Sequence, residues 1–95
     1  MKKFVLLSYG YEKPTPEIMA AWSKWFSSLK DNIVDMIGLG AGRELSRTGT
    51  KDLPLGPDSI TGITIVQADS LAEAEKMAQS NPMIASIRVY EVRSK

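Results

Sequence analysis

The stretch Ile60-Thr61-Gly62-Ile63-Thr64-Ile65-Val66-Gln67-Ala68-Asp69-Ser70-Leu71-Ala72-Glu73-Ala74 decides the fold. Its first part, Ile60 to Gln67, is rich in β-branched residues and predicts a strand, with Ile63 and Ile65 on one face and Ile60, Gly62 and Val66 on the other. Ser70-Leu71-Ala72-Glu73 is a capping-box sequence: the Ser hydroxyl and the Glu carboxylate can each satisfy a free backbone N–H at a helix start. Leu71, Ala74, Met77 and Ala78 then share one helix face, and the helix should stop near Ser80. Asn81-Pro82 breaks it or caps one further turn, and Ile87 to Val92 reads as a final strand.

The first half has the same grammar. Lys3 to Tyr9 reads as a strand, with Phe4 and Leu6 on one face and Val5, Leu7 and Tyr9 on the other. Thr15-Pro16-Glu17 supplies an N-cap, a proline at the first helical position and an acid in the first turn. Ile18, Trp22, Trp25, Phe26 and Leu29 follow at helical spacing, predicting a helix from about Pro16 to Lys30 that Asp31-Asn32 ends. Ile33 to Ile37 reads as a strand that continues irregularly through Gly38, Gly40 and Gly42 to Leu45. Arg47 to Ser59 has loop character.

The order is therefore β-α-β-β-α-β. Two split β-α-β units with right-handed crossovers give an α+β, ferredoxin-like fold: a four-stranded antiparallel sheet with two helices on one face. The strands at Lys3–Tyr9 and Ile60–Gln67 should be central. A sheet with one solvated face alternates apolar and polar residues, and this one carries apolar groups on both faces of its central strands. A second copy packed sheet to sheet would cover the extra face, which predicts a homodimer.

Composition bounds the chemistry. The 95 residues form one expected domain, 1–95, with 12 basic and 11 acidic residues, no cysteine and no histidine. A Ser-His-Asp or Cys-His triad and a zinc site of the usual ligands are excluded. Divided after Thr48, the halves carry +2 (seven basic, five acidic) and −1 (five basic, six acidic), so neither offers a polyanion-binding surface and no nucleic-acid partner is expected. After Lys2-Lys3 only Phe4 to Leu7 are consecutively apolar, too few for the roughly 7 to 15 of a signal peptide. No run approaches the roughly 18 residues of a membrane span, so the expectation is a soluble cytoplasmic protein with no membrane partner.

Several segments resemble a known family. Lys3-Phe4-Val5-Leu6-Leu7-Ser8-Tyr9-Gly10, Trp25 to Leu29, Gly40-Ala41-Gly42-Arg43-Glu44-Leu45 and Thr61 to Ala74 with Asn81-Pro82 are similar to the YCII-related domain family, whose members include proteins named for a DGPF motif. That family belongs to the dimeric α+β barrel superfamily. The resemblance implies a ferredoxin-like protomer that pairs through its sheet. It implies little chemistry, since relatives in the superfamily include lactone isomerases, small cofactor-free monooxygenases and sensor-like domains.

Two departures matter. The DGPF motif is absent, and the region before the third strand reads Leu53-Pro54-Leu55-Gly56-Pro57-Asp58-Ser59. Some members carry a histidine in the first helix, proposed to work with an aspartate; here the matching positions fall at Trp22 or at Trp25-Phe26. The His-Asp route is therefore closed to this chain. Any enzyme activity would be metal-free and histidine-free, of isomerase, lyase or cofactor-free oxygenase type by superfamily analogy.

The candidate pocket residues are Tyr9, Trp22, Trp25, Asp35, Arg43 and Tyr90. The tryptophans, three apart on the apolar helix face, either fill the helix–sheet core or wall a pocket for a flat or apolar molecule. Tyr9 and Tyr90 offer phenol O–H groups to such a pocket, to a structural partner or to solvent. Arg43 can grip a carboxylate or phosphate or stay solvated, and Asp35 could stand in the family's acidic position. Gly38-Leu39-Gly40-Ala41-Gly42 is not a dinucleotide fingerprint, because Arg43 stands where a third glycine would be needed. No cofactor and no metal is implied. The expected function is binding of a small, partly apolar or anionic metabolite between sheet and first helix; the alternative is an accessory dimerisation domain without catalysis.

Overall fold

A computed structural model describes residues 2–93. The elements are β1 (Lys2–Tyr9), α1 (Pro16–Ser28), β2 (Ile33–Gly38), β3 (Gly42–Ser46), β4 (Gly49–Leu53), β5 (Ile60–Ala68), α2 (Leu71–Gln79) and β6 (Ser86–Glu91). Four strands form an antiparallel sheet in the order β2-β5-β1-β6, and β3 with β4 forms a separate hairpin. The sheet is the ferredoxin-like one expected, with the two most apolar strands at its centre.

Capping follows the sequence. The Thr15 hydroxyl accepts the Ile18 N–H at 3.2 Å, and the Ser70 hydroxyl accepts that of Glu73 at 3.2 Å. Phe4, Leu6, Val66 and Ala68 of the central strands are fully buried against Trp25, Ala74, Met77 and Ala78 of the helices.

The two helices sit differently on the sheet. Small Ala74 and Ala78 let α2 pack directly on β1, β5 and β6. Helix α1 presents Trp22, Trp25 and Phe26 instead, and large side chains at a contact hold its partner further away. Trp25 fills the gap at one end, 4% exposed, with its indole N–H shared between the Met77 carbonyl at 3.0 Å and Ser80 Oγ at 3.1 Å. Trp22, one turn earlier, is half-buried and donates to the Pro82 carbonyl at 3.1 Å.

Two expectations need correction. The strand from Ile33 ends at Gly38, and the residues up to Leu45 do not extend it; Gly42–Ser46 pairs instead with Gly49–Leu53, inside the segment expected to be loop. The hairpin is held by cross-strand polar pairs rather than by a core. Arg43 faces Asp52, with Nε to Oδ1 at 3.3 Å, and Glu44 faces Lys51. Gly49 follows the Arg47-Thr48 turn at φ +142°, a conformation that favours glycine.

The register divides the sheet cleanly. Val5, Leu7, Ile63, Ile65, Ile37 and Tyr90 share the face away from the helices, where Ile37 stays 47% and Tyr90 51% exposed. The body is 18 Å along its short axis, one helix layer on one sheet, so no second layer of the described residues covers this apolar face. A radius of gyration of 14.4 Å exceeds the roughly 12 Å of a compact chain of this length.

Candidate functional site

The stand-off of α1 leaves a cavity of about 360 Å³ between that helix, the ends of β1, β2 and β5, and the segment after α2. That volume lies in the usual small-molecule range of about 300 to 1,000 Å³. Trp22 and Phe26 line it from α1, Met36 from β2, and Met83 and Ile84 from the α2–β6 connection. Phe26 is set edge-on against Trp25, ring centroids 5.1 Å apart, so the core tryptophan also fixes the cavity wall.

Polar atoms line the same cavity in small number. Ser8, Thr61, Thr64, Asn81 and Ser86 contribute, and Tyr9 is the only titratable residue among them. Thr61 Oγ1 lies 3.1 Å from the Gly10 carbonyl and 3.4 Å from that of Ser8, tying β5 to the end of β1. Gly10 adopts φ +100°, and a Cβ there would lie 2.9 Å from Ala85 Cβ. The chain can therefore turn against the α2–β6 connection only without a side chain at this point.

Of the candidate residues, the structure brings Trp22 to the cavity, while Tyr9 borders it at the end of β1. The Tyr9 ring belongs to the open sheet face with Val5 and Leu7, where Arg88 of β6 stacks its guanidinium 4.7 Å from the ring centroid, a cation–π contact. Trp25 belongs to the core, because its N–H is consumed at the end of α2. Asp35 pairs with Ile65 on the open sheet face after a register shift in β2, and its carboxylate accepts the Met36 N–H at 2.8 Å. The same shift places Met36 opposite Thr64 on the helix side. Tyr90 is opposite Val5, four residues along β1 from Tyr9, so the two tyrosines do not share a pocket. Arg43 is on the hairpin, 72% exposed and paired with Asp52.

The lining residues that sequence reasoning did not single out have a common character. Thr61 and Thr64 are short polar residues inside an apolar strand, and Thr64, opposite Leu6 and Met36 on the helix side, is only 8% exposed. That pattern was a usable signal. Asn81, Ile84 and Ser86 belong to an irregular connection, whose position no periodicity fixes.

No protein family's sequence profile matches the chain, and no curated protein sequence matches it either. Among solved structures, the chain is similar to 5-chloro-2-hydroxyhydroquinone dehydrochlorinase from Burkholderia phenoliruptrix, in a complex with 2,5-dihydroxybenzoquinone. The TM-score is 0.64 over 98% of this chain and 95% of that one, at 18% identity. No helix among the described residues is long and apolar enough to cross a membrane. At that identity the likeness establishes the fold: this chain is an α+β protein built as that dehydrochlorinase is built.

Proposed function

We propose that the chain is a homodimer of the YCII-related type, its sheets stacked through their open faces, and that each protomer binds a small, flat, uncharged, hydroxylated ring in the cavity beside α1. The observation that carries the ligand is the lining. Aromatic and thioether walls suit a flat ring, five short polar side chains suit its oxygens, and no Asp, Glu, Lys or Arg is present. A carboxylate placed there would leave water without meeting a cation, at a cost of several kcal/mol. The anionic metabolite has lost its partner, because Arg43 is on the hairpin. The dehydrochlorinase of similar fold, named for a hydroxylated ring and holding a dihydroxybenzoquinone, supports the same class of ligand.

The dimer rests on surface. The protomer exposes 7032 Å², against about 5,400 Å² for a compact monomer of 10.5 kDa. The excess of roughly 1,600 Å² is what one partner contributes to a large, permanent interface. Chemistry in the cavity, where it occurs, falls to the hydroxyls of Ser8, Thr61, Thr64 and Ser86, since the chain has no histidine, Asp35 lies on the other side of the sheet and the Tyr9 ring stacks with Arg88 on that same open face.

A matched ligand pair tests the reading. Hydroquinone, kept anaerobic, should raise the melting temperature by several degrees at about 100 times its Kd, where binding adds close to 2.7 kcal/mol. Gentisate, the same ring with a carboxylate, should bind at least tenfold more weakly. Equal or tighter binding of gentisate would overturn the neutral-ring reading. Silence across a panel of neutral phenols and quinones would favour the dimerisation domain without a ligand.

A further inference from the structure

Among the described residues, the β3–β4 hairpin packs against no other element of its own protomer to any extent comparable with its own pairing. Every residue from Gly42 to Leu53 is exposed. Two-stranded hairpins are marginal in water on their own. This one also carries the most exposed large apolar residue among the described residues, Leu45 at 78%. Leu45 shares a face with Thr50, Arg43 and Asp52, and the Arg43–Asp52 pair cancels the charge on that face. Such a face can be laid against apolar surface without burying a lone charge.

We propose that this hairpin is an intersubunit clasp, lying in the dimer against the second copy with Leu45 as its apolar contact. The proposal rests on the homodimer reading above. The second copy is the occupant the surface favours, because the protomer exposes roughly 1,600 Å² more than a compact monomer and every residue of the arm is exposed. Reach agrees: five extended residues span about 17 Å, more than the roughly 10 Å that separates stacked sheets. The arm also leaves the body at Gly38 and returns at Ile60, at the end of the sheet where Gly38, Thr61 and Gly10 line the cavity.

The absence of cysteine makes the test direct. Leu45→Cys, labelled with a benzophenone maleimide, is prepared with natural and with ¹⁵N isotopes, mixed, re-equilibrated and irradiated, and crosslinked peptides are identified by mass. Lys24→Cys, on the exposed side of α1, is the control. Sedimentation is run on the same samples. The expected result is a dimer in which position 45 gives mixed-isotope crosslinks and position 24 gives few or none. A dimer with only same-chain crosslinks from position 45, or with equal yields from both positions, overturns the clasp and leaves the sheet-face dimer standing. A monomer overturns the dimer reading and the clasp with it.

Discussion

Trp25→Phe and Trp22→Phe remove chemically identical groups one turn apart, and the structure assigns them different costs. Trp25 loses an indole N–H shared by the Met77 carbonyl and Ser80 Oγ, a net contribution of about 1 kcal/mol. Met77 O keeps the Ser80 hydroxyl at 2.8 Å, so no buried acceptor is orphaned and the loss stays near that value. The smaller ring also gives up roughly 40 Å² of buried apolar surface at 25 cal/mol per Å², about another 1 kcal/mol, before any cavity penalty. The sum is about 2 to 3 kcal/mol. Trp22 is half-buried and makes one bond, to the Pro82 carbonyl, which water can replace, so its substitution should cost about 1 kcal/mol. Urea unfolding followed by circular dichroism at one fixed protein concentration measures both, since a dimer's apparent stability depends on concentration. Equal costs, or a larger cost at Trp22, would refute the division into a core tryptophan and a cavity tryptophan.

Three further substitutions probe other parts. Leu7→Lys places a charge on the open sheet face and should convert the proposed dimer to a folded monomer in sedimentation, with the circular dichroism spectrum retained; an undisturbed dimer would mean that this face is not the interface. Gly10→Ala combines a positive φ with a Cβ at 2.9 Å from Ala85 and should cost about 2 kcal/mol or more, whereas Gly40→Ala, with nothing within 4 Å, should stay within about 0.5 kcal/mol. Arg43→Ala breaks an exposed ion pair and should change apo stability by less than about 1 kcal/mol and ring affinity not at all. A large loss of affinity would place the hairpin in the binding site.

The sheet and helices were legible because each is announced by a local physical signal: the helix stripe from Ile18 to Leu29, the serine cap at Ser70, the β-branched run from Ile60. The hairpin was not. Its strands bury nothing, so Gly42–Ser46 and Gly49–Leu53 have no apolar alternation, and the Arg43–Asp52 and Glu44–Lys51 pairs become visible only once the register is known. The candidate site was half legible for a similar reason. Periodicity placed Trp22 and Trp25 on one helix face, but only the depth of α1 against the sheet separates core from cavity wall. Asp35 was named from the family's acidic position alone, and its side of the sheet follows from a register shift between Ile33 and Asp35 that no sequence period announces. The absence of histidine remains the most informative single count, because it needs no structure to close the His-Asp route.

A ¹H–¹⁵N titration of the protein with hydroquinone tests most directly the claim that a neutral ring binds between α1 and the sheet. The chain has only two indole N–H signals, one at the cavity and one in the core. The structure predicts that the Trp22 indole and the amides of Gly10 and Thr61 to Thr64 move together to saturation, that the Trp25 indole stays nearly still, and that gentisate needs at least tenfold higher concentration. Saturable shifts confined to the hairpin or the open sheet face, or none at all at millimolar ligand, would contradict it.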